Sequence, residues 1–211
     1  MPRQPDALDG RSGHLSGGPR GSAAASLSWR STTHRRTFGI KNGAMTTLRP
    51  AAPGDLPFLH EMLLEAAYPL GPPQPAIDEA RADPLIARYI EAWGRAGDAA
   101  LIAVDEHGRP IGAAWHRVFR PEEPGFGFID CATPEITIAV VPRHRLHGVG
   151  SALLGGLIDR ARREGFGTLS LSVSPENPAV RLYERFGFVR VPSRDDHWTM
   201  WLDLGTETHA H

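Results

Sequence analysis

The stretch Ile136-Thr-Ile-Ala-Val-Val-Pro-Arg-His-Arg-Leu-His-Gly-Val-Gly-Ser-Ala-Leu-Leu154 decides how this chain folds. It reads as a strand, a tight basic turn rich in glycine, and the first turns of a helix. A helix that opens on glycines presents unpaired backbone N–H groups and the positive end of its dipole. Small residues let an anionic ligand come close to that backbone, so the turn is a candidate pyrophosphate cradle.

Other glycine motifs fit worse. A Walker A loop needs Gly-Lys-Ser/Thr, and the turn has no lysine. A Rossmann fingerprint wants a small residue where Leu153 stands. It also wants an acidic residue at the end of the next strand, and Thr168 to Ser174 offer none. The competing reading is an ordinary strand-to-helix turn that happens to hold glycines.

A second pattern follows at Asn177-Pro-Ala-Val-Arg-Leu-Tyr-Glu-Arg-Phe-Gly-Phe188. Arg145, Gly148 and Gly150 form R-x-x-G-x-G, which resembles the acetyl-CoA signature of the GNAT acetyltransferases. Asn177, Tyr183, Gly187 and Phe188 match the N-x-x-A/S-x-x-x-Y-x-x-x-G-F pattern of the same superfamily, with the small residue displaced by one to Ala179. The resemblance covers about residues 45–204. It implies an α/β fold: a mixed, mostly antiparallel, twisted sheet flanked by helices, with a splayed parallel strand pair holding the cofactor. The parallel pair would be Glu135–Val141 and Thr168–Val173.

The 211 residues suffice for one domain with a sizeable core. No apolar run approaches the roughly 20 residues needed to span a bilayer, so no membrane partner is expected. Cys131 is the single cysteine, which excludes an intramolecular disulfide and a cysteine-based zinc site. It favours a reducing compartment, and the cytoplasm is the expected location. Lys41 is the one lysine, so the domain beyond it has no lysine for Schiff-base chemistry or phosphoryl transfer.

Residues 1–44 stand apart. They are rich in Gly, Ser and Arg and carry a net charge of +5, against −6 for the remainder. Such a segment lacks the apolar surface to offset its ordering entropy. It reads as a disordered, dispensable extension, with 45–204 the domain and 205–211 a tail. An organelle transit peptide is the competing reading, whereas a twin-arginine signal at Arg35-Arg36 lacks the apolar segment it needs. Dispersed arginines are not a patch, so nucleic acid is not expected as a partner.

From residue 46 the pattern alternates strand and helix. Strands are read at Thr46–Ala51, Ala99–Val104, Ile111–Phe119, Phe188–Val191 and His197–Leu204, with a short extended piece at Phe126–Ile129. Helices are read at Leu56–Ala67, at Asp78–Trp93, where Ile86, Tyr89, Ile90 and Trp93 make one apolar stripe, and at Gly148–Glu164, ended by Gly165 in a left-handed cap. Asn177 is placed to cap a further helix.

The resemblance implies roles for particular residues. Arg145, Leu146, His147, Gly148, Val149, Gly150 and Ser151 would cradle the pyrophosphate of acetyl-CoA, with Asn177 beside it. Ala139 and Val141 would offer backbone groups to the pantetheine arm, and an N–H near Ala139 would face the thioester oxygen. Tyr183 would protonate the departing thiolate; its other reading is packing against Phe186 and Phe188. Glu135 would be the general base, or simply a carboxylate at a strand edge. No histidine or acidic spacing supports a metal. Asp78, Glu79, Asp83, Glu122, Glu123 and Asp130 would attract a cationic amine or merely keep loops soluble, and Trp115 would line the acceptor cleft or fill the core. The expected reaction is acetyl transfer to a primary amine of a small molecule by a monomer or homodimer. A protein N-terminal or lysine acetyltransferase and a non-catalytic acyl-CoA-binding module stay open.

Overall fold

The computed structural model describes residues 35–39, 45–69, 77–192 and 196–205. The readings for 1–34, 40–44 and 206–211 lie outside them. Eight strands form one sheet: β1 Arg36–Gly39, β2 Met45–Pro50, β3 Ala99–Val104, β4 Pro110–Arg117, β5 Glu135–Val140, β6 Thr168–Val173, β7 Val189–Val191 and β8 Trp198–Asp203. Their order is β1-β2-β3-β4-β5-β6-β8-β7, and every neighbouring pair is antiparallel except β5 and β6. The sheet begins before Met45. Arg36–Gly39, which the composition put in the extension, pairs with β2, and Arg36 reaches Asp159 at 2.5 Å.

One face is covered by α4, Val149–Arg163, and the short α5, Val180–Arg185. Leu153, Leu154, Leu157, Ile158 and Ala161 recur at helical spacing and are buried. A Cβ on Gly156 would lie 2.8 Å from Leu48 and 3.0 Å from Leu101, so glycine there sets how closely α4 approaches the sheet. Gly165, at φ +86°, ends α4 in a Schellman motif: its N–H reaches Arg162 O and that of Phe166 reaches Ala161 O.

The other face is covered by α1, Leu56–Ala67, then α2, Ile77–Ala82, and α3, Pro84–Ala87. The single helix expected over Asp78–Trp93 is divided. Pro84 cannot continue a helix, and Asp83 accepts from the Leu85 N–H and caps a new one. The apolar stripe survives as a turn, with Ile86, Tyr89 and Ile90 buried. The long loop 118–134 holds turns and an Arg120–Glu123 bridge; Phe126–Ile129 is not a strand.

Candidate active site

β5 and β6 join in register only at Glu135 and Ser170, although both strands run on. Beyond that pair they separate, and the gap is the candidate site. The Ser170 N–H donates to Pro134 O across the pair, while the Val141 N–H donates to Ile111 O on the β4 side. Backbone groups alternate along a strand, so Ile138 and Val140 face the gap and Ala139 exchanges both its bonds with Ala113. This corrects the expectation for Ala139 and Val141. The groups that face the gap are one residue away on each count, and of Val140 the N–H is the one left open, since its carbonyl accepts from Arg145.

The α4 turn closes one end of the gap. Gly148 lies at φ +98°, where glycine is favoured, and the first N–H groups of α4, at Val149, Gly150 and Ser151, lack intrahelical acceptors. A Cβ on Gly150 would meet nothing nearer than 3.6 Å. Packing therefore does not require that glycine, which costs about 1 kcal/mol inside a helix relative to alanine. The residues present fit an anion approaching the backbone. The Arg145 side chain turns away from the cradle: it bonds Val140 O at 3.0 Å and pairs with Glu65 on α1. His147 Nδ1 is 2.6 Å from Arg145 O, and Leu146 is held at φ +63° with its side chain 91% exposed.

Tyr183 lies on α5 in the same apolar cluster as Ile136, Leu171 and Val173, edge-on to Phe188. Burial raises its pKa, so the phenol stays protonated at neutral pH. Asn177 Oδ1 accepts from the Ala179 N–H, and so fixes the turn into α5.

Glu135 sits at the foot of the gap with its side chain toward α1. Oε1 accepts from the Tyr89 hydroxyl at 2.6 Å, and Oε2 has no hydrogen-bond partner among the described residues. Burial pushes its pKa up to about 7, against smaller opposing effects of the Tyr89 hydroxyl and the Gly127 N–H. That N–H is close enough to favour the charge but outside hydrogen-bond geometry with Oε2. The 118–134 loop lies directly on the site. A Cβ on Gly125 would fall 2.1 Å from Glu135 Oε2, and one on Gly127 would fall 2.5 Å from the Leu171 carbonyl carbon. Gly125–Gly127 thus spans from the β5 carboxylate to the β6 backbone just past the last paired residue.

Two further groups brace this side. Arg117 and Asp98 form a buried two-bond ion pair at 2.9 and 2.6 Å, and Arg117 also bonds the Arg88 and Glu91 carbonyls. Neither residue stood out in the sequence. Trp115 is fully buried in the α1-side cluster and does not line a cleft. Asp78, Glu79, Glu122, Glu123 and Asp130 are exposed, and Asp83 is used as the α3 cap. Tyr89 was read only as part of an apolar stripe. A hydroxyl on an otherwise apolar face was the available signal, because a buried tyrosine needs a partner.

The split parallel pair and the glycine turn agree with the model of the acetyltransferase (GNAT) family, which matches residues 58–188. The chain belongs to the GNAT family. It is an acetyltransferase and takes its acetyl group from acetyl-CoA. A GNAT relative from Pseudomonas aeruginosa, L-methionine sulfoximine/L-methionine sulfone acetyltransferase, is 33% identical over 55% of this chain and 67% of its own. The [ribosomal protein bS18]-alanine N-acetyltransferase of Haemophilus influenzae is 36% identical over 35% of this chain and 53% of its own. A Salmonella typhimurium protein solved with acetyl-CoA superposes with a TM-score of 0.57 at 26% identity, covering 79% of this chain and 96% of that one.

Proposed function

We propose that this GNAT enzyme passes the acetyl group directly to the primary amine of a small molecule, with no acyl-enzyme intermediate. The observation that carries the reading is Glu135, a buried carboxyl at the foot of the split whose pKa is about 7. A base matched to the working pH is partly ionised and still accepts a proton well. Glu135 Oε2 takes the proton of the ammonium form, and the freed nitrogen attacks the thioester carbon. The C–N bond forms as the C–S bond breaks, and the second proton shed by nitrogen ends on the departing sulfur, so the products are the amide and the free thiol of coenzyme A. The Ile138 and Val140 N–H groups, which face the gap, stabilise the carbonyl oxygen as charge grows on it. Tyr183 donates its hydroxyl proton toward the departing thiolate. Its raised pKa makes it a weak acid, so its contribution is a hydrogen bond that strengthens as charge builds on sulfur. Val149, Gly150 and Ser151 offer N–H groups to the pyrophosphate; Arg145, Leu146, His147 and Gly148 shape that turn, and Asn177 sets the start of α5.

The sulfoximine relative supports a small amine as acceptor, and the ribosomal relative supports a protein N-terminus as the second reading. Thiol release over a panel of amino acids, polyamines, aminoglycosides and N-terminal peptides separates them. Small amines should be turned over, and Glu135→Gln should lower the rate about a hundred- to ten-thousand-fold. Acetyl-CoA affinity, read by calorimetry, should hold. Turnover of peptides alone overturns the acceptor class, and full activity in Glu135→Gln removes the base.

A further inference from the structure

Tyr89 follows α3, 46 residues before Glu135 in the chain, yet its hydroxyl sits between two parts of the site. It donates to Glu135 Oε1 at 2.6 Å and accepts from the Phe126 N–H at 2.7 Å. Its ring is fixed as well, edge-on to Phe119 at 4.9 Å and stacked with Phe126 at 6.1 Å. A phenol oxygen with one donor bond and one acceptor bond is fully oriented.

We propose that Tyr89 is a positioning residue for acetyl transfer: its one hydroxyl ties Glu135 to the Gly125–Gly127 segment and occupies Oε1, leaving Oε2 to take the amine proton. This rests on Glu135 as the base. The bond has two consequences. It stops the carboxylate from turning, so the proton-accepting oxygen keeps one direction toward the α1 face. It also latches the loop over the base, because Gly125 backs onto Oε2 and Phe126 hangs from the same hydroxyl. An amine reaches Oε2 only when the loop lifts, and lifting it breaks the Phe126 bond. The Tyr89 hydroxyl then turns its freed lone pair to solvent or substrate while still holding Oε1.

The charged groups around Glu135 are accounted for. From β4, Arg117 stands opposite Glu135 in register, and its guanidinium is bound to Asp98 and two carbonyls. The turn after α3 brings Arg88, bonded to Pro84 O and Pro124 O, and the exposed Glu91. From β6 the facing residue is the uncharged Ser170. Glu122, Glu123 and Asp130 of the loop are exposed, and α1 adds the apolar Leu59, Met62 and Leu63 to this cluster. Tyr89 is thus the titratable side chain bonded to Glu135, and its own pKa is raised by burial and then by the Glu135 charge.

Tyr89→Phe removes the hydroxyl and keeps both ring contacts. A hydrogen bond to a carboxylate favours its charged form, so losing it should move the Glu135 midpoint upward by about one pH unit or more. Carbon-13 NMR of the Glu135 carboxyl reads this without any acceptor. The acid limb of kcat/KM, measured with the fastest amine of the panel, should move the same way while acetyl-CoA affinity holds. Phe119→Leu, which loosens the packing but keeps the hydroxyl, should lower the melting temperature and leave the midpoint in place. An unmoved midpoint in Tyr89→Phe overturns the proposal. If that variant does not fold, hydrogen exchange on the wild-type chain decides: a protected Phe126 amide is expected, and an unprotected one overturns the tie. Full activity in Glu135→Gln would remove the base reading beneath the proposal, whereas an inactive Glu135→Gln with an unmoved Tyr89→Phe midpoint sinks Tyr89 alone.

Discussion

On one face of the sheet, α4 lies against β2 and β3 through Gly156 and sends its first N–H groups toward the gap between β5 and β6. On the other face, α1 and the α3 turn enclose Tyr89, Glu135, Arg117 and Asp98, which come from four separate stretches of chain. The α4 face, proposed as the cofactor face, is made of local devices: a left-handed glycine, a helix start and a Schellman stop. The α1 face, proposed as the acceptor face, is made of side chains meeting over long sequence separations. A local device announces itself as a motif. A long-range pair does not, because neither partner constrains the residues next to it.

The largest effect that tests this contrast is catalytic. Tyr183→Phe keeps the ring against Phe188 and removes the hydroxyl, so kcat should fall by about a hundred- to ten-thousand-fold, with acetyl-CoA affinity held. An unchanged kcat, with chemistry limiting turnover, returns Tyr183 to packing alone.

Asp98→Ala attacks the acceptor face. It leaves Arg117 buried without its counter-ion, a loss of about 3–5 kcal/mol. Thermal melting should show a drop of roughly 10 °C, at about 2–4 °C per kcal/mol for a chain of this size. The folded fraction should still bind acetyl-CoA normally. An equal loss of affinity would mean the two faces are not independent.

Gly150→Glu attacks the cofactor face. A unit charge about 5 Å from another at an effective dielectric of about 20 is worth roughly 3 kcal/mol, on the order of a hundredfold in affinity. The nearest side-chain atom to its Cβ is 3.6 Å away, so stability should hold. Native affinity in the folded variant would move the pyrophosphate elsewhere.

The smallest effect is the pH dependence of stability. Glu135 has a pKa of about 7 in the fold against an ordinary 4.5. A carboxyl raised in this way binds more protons folded than unfolded. Its contribution is full below the unfolded value and is lost as pH rises through about 7. Glu135→Gln should therefore gain on the wild type between pH 5 and pH 8, by about 5–10 °C in parallel melts. A gain in the opposite direction would place Glu135 in a solvated or cation-paired setting.

Most of the element plan was legible in the chain. The bounds of α1, β3 and β6 agree with the periodicity, since each is a complete apolar pattern between breakers. The helix over Asp78–Trp93 failed because its stripe was weighed above Pro84, and a buried turn keeps the same inward residues as a helix. The glycine turn and Tyr183 were proposed from motifs that lie within one turn or helix, and Glu135 from its place on one strand. Which backbone groups face the gap was misjudged by one residue, because period-two alternation fixes a strand's faces only once a neighbour is known.

The sequence by itself determined the strand-turn-helix, its glycine cradle, the alternating α/β order and membership of a family. Each depends on residues close together in the chain, where φ/ψ limits and hydrophobic period act directly. Only the tertiary structure decided that β5 leaves β6 after one pair, that Arg145 turns to Glu65, and that Tyr89, Glu135 and Phe126 share one hydroxyl. Those are contacts between distant segments. Their partners are chosen by how the two faces close on the sheet, and that closure is a property of the whole packed domain.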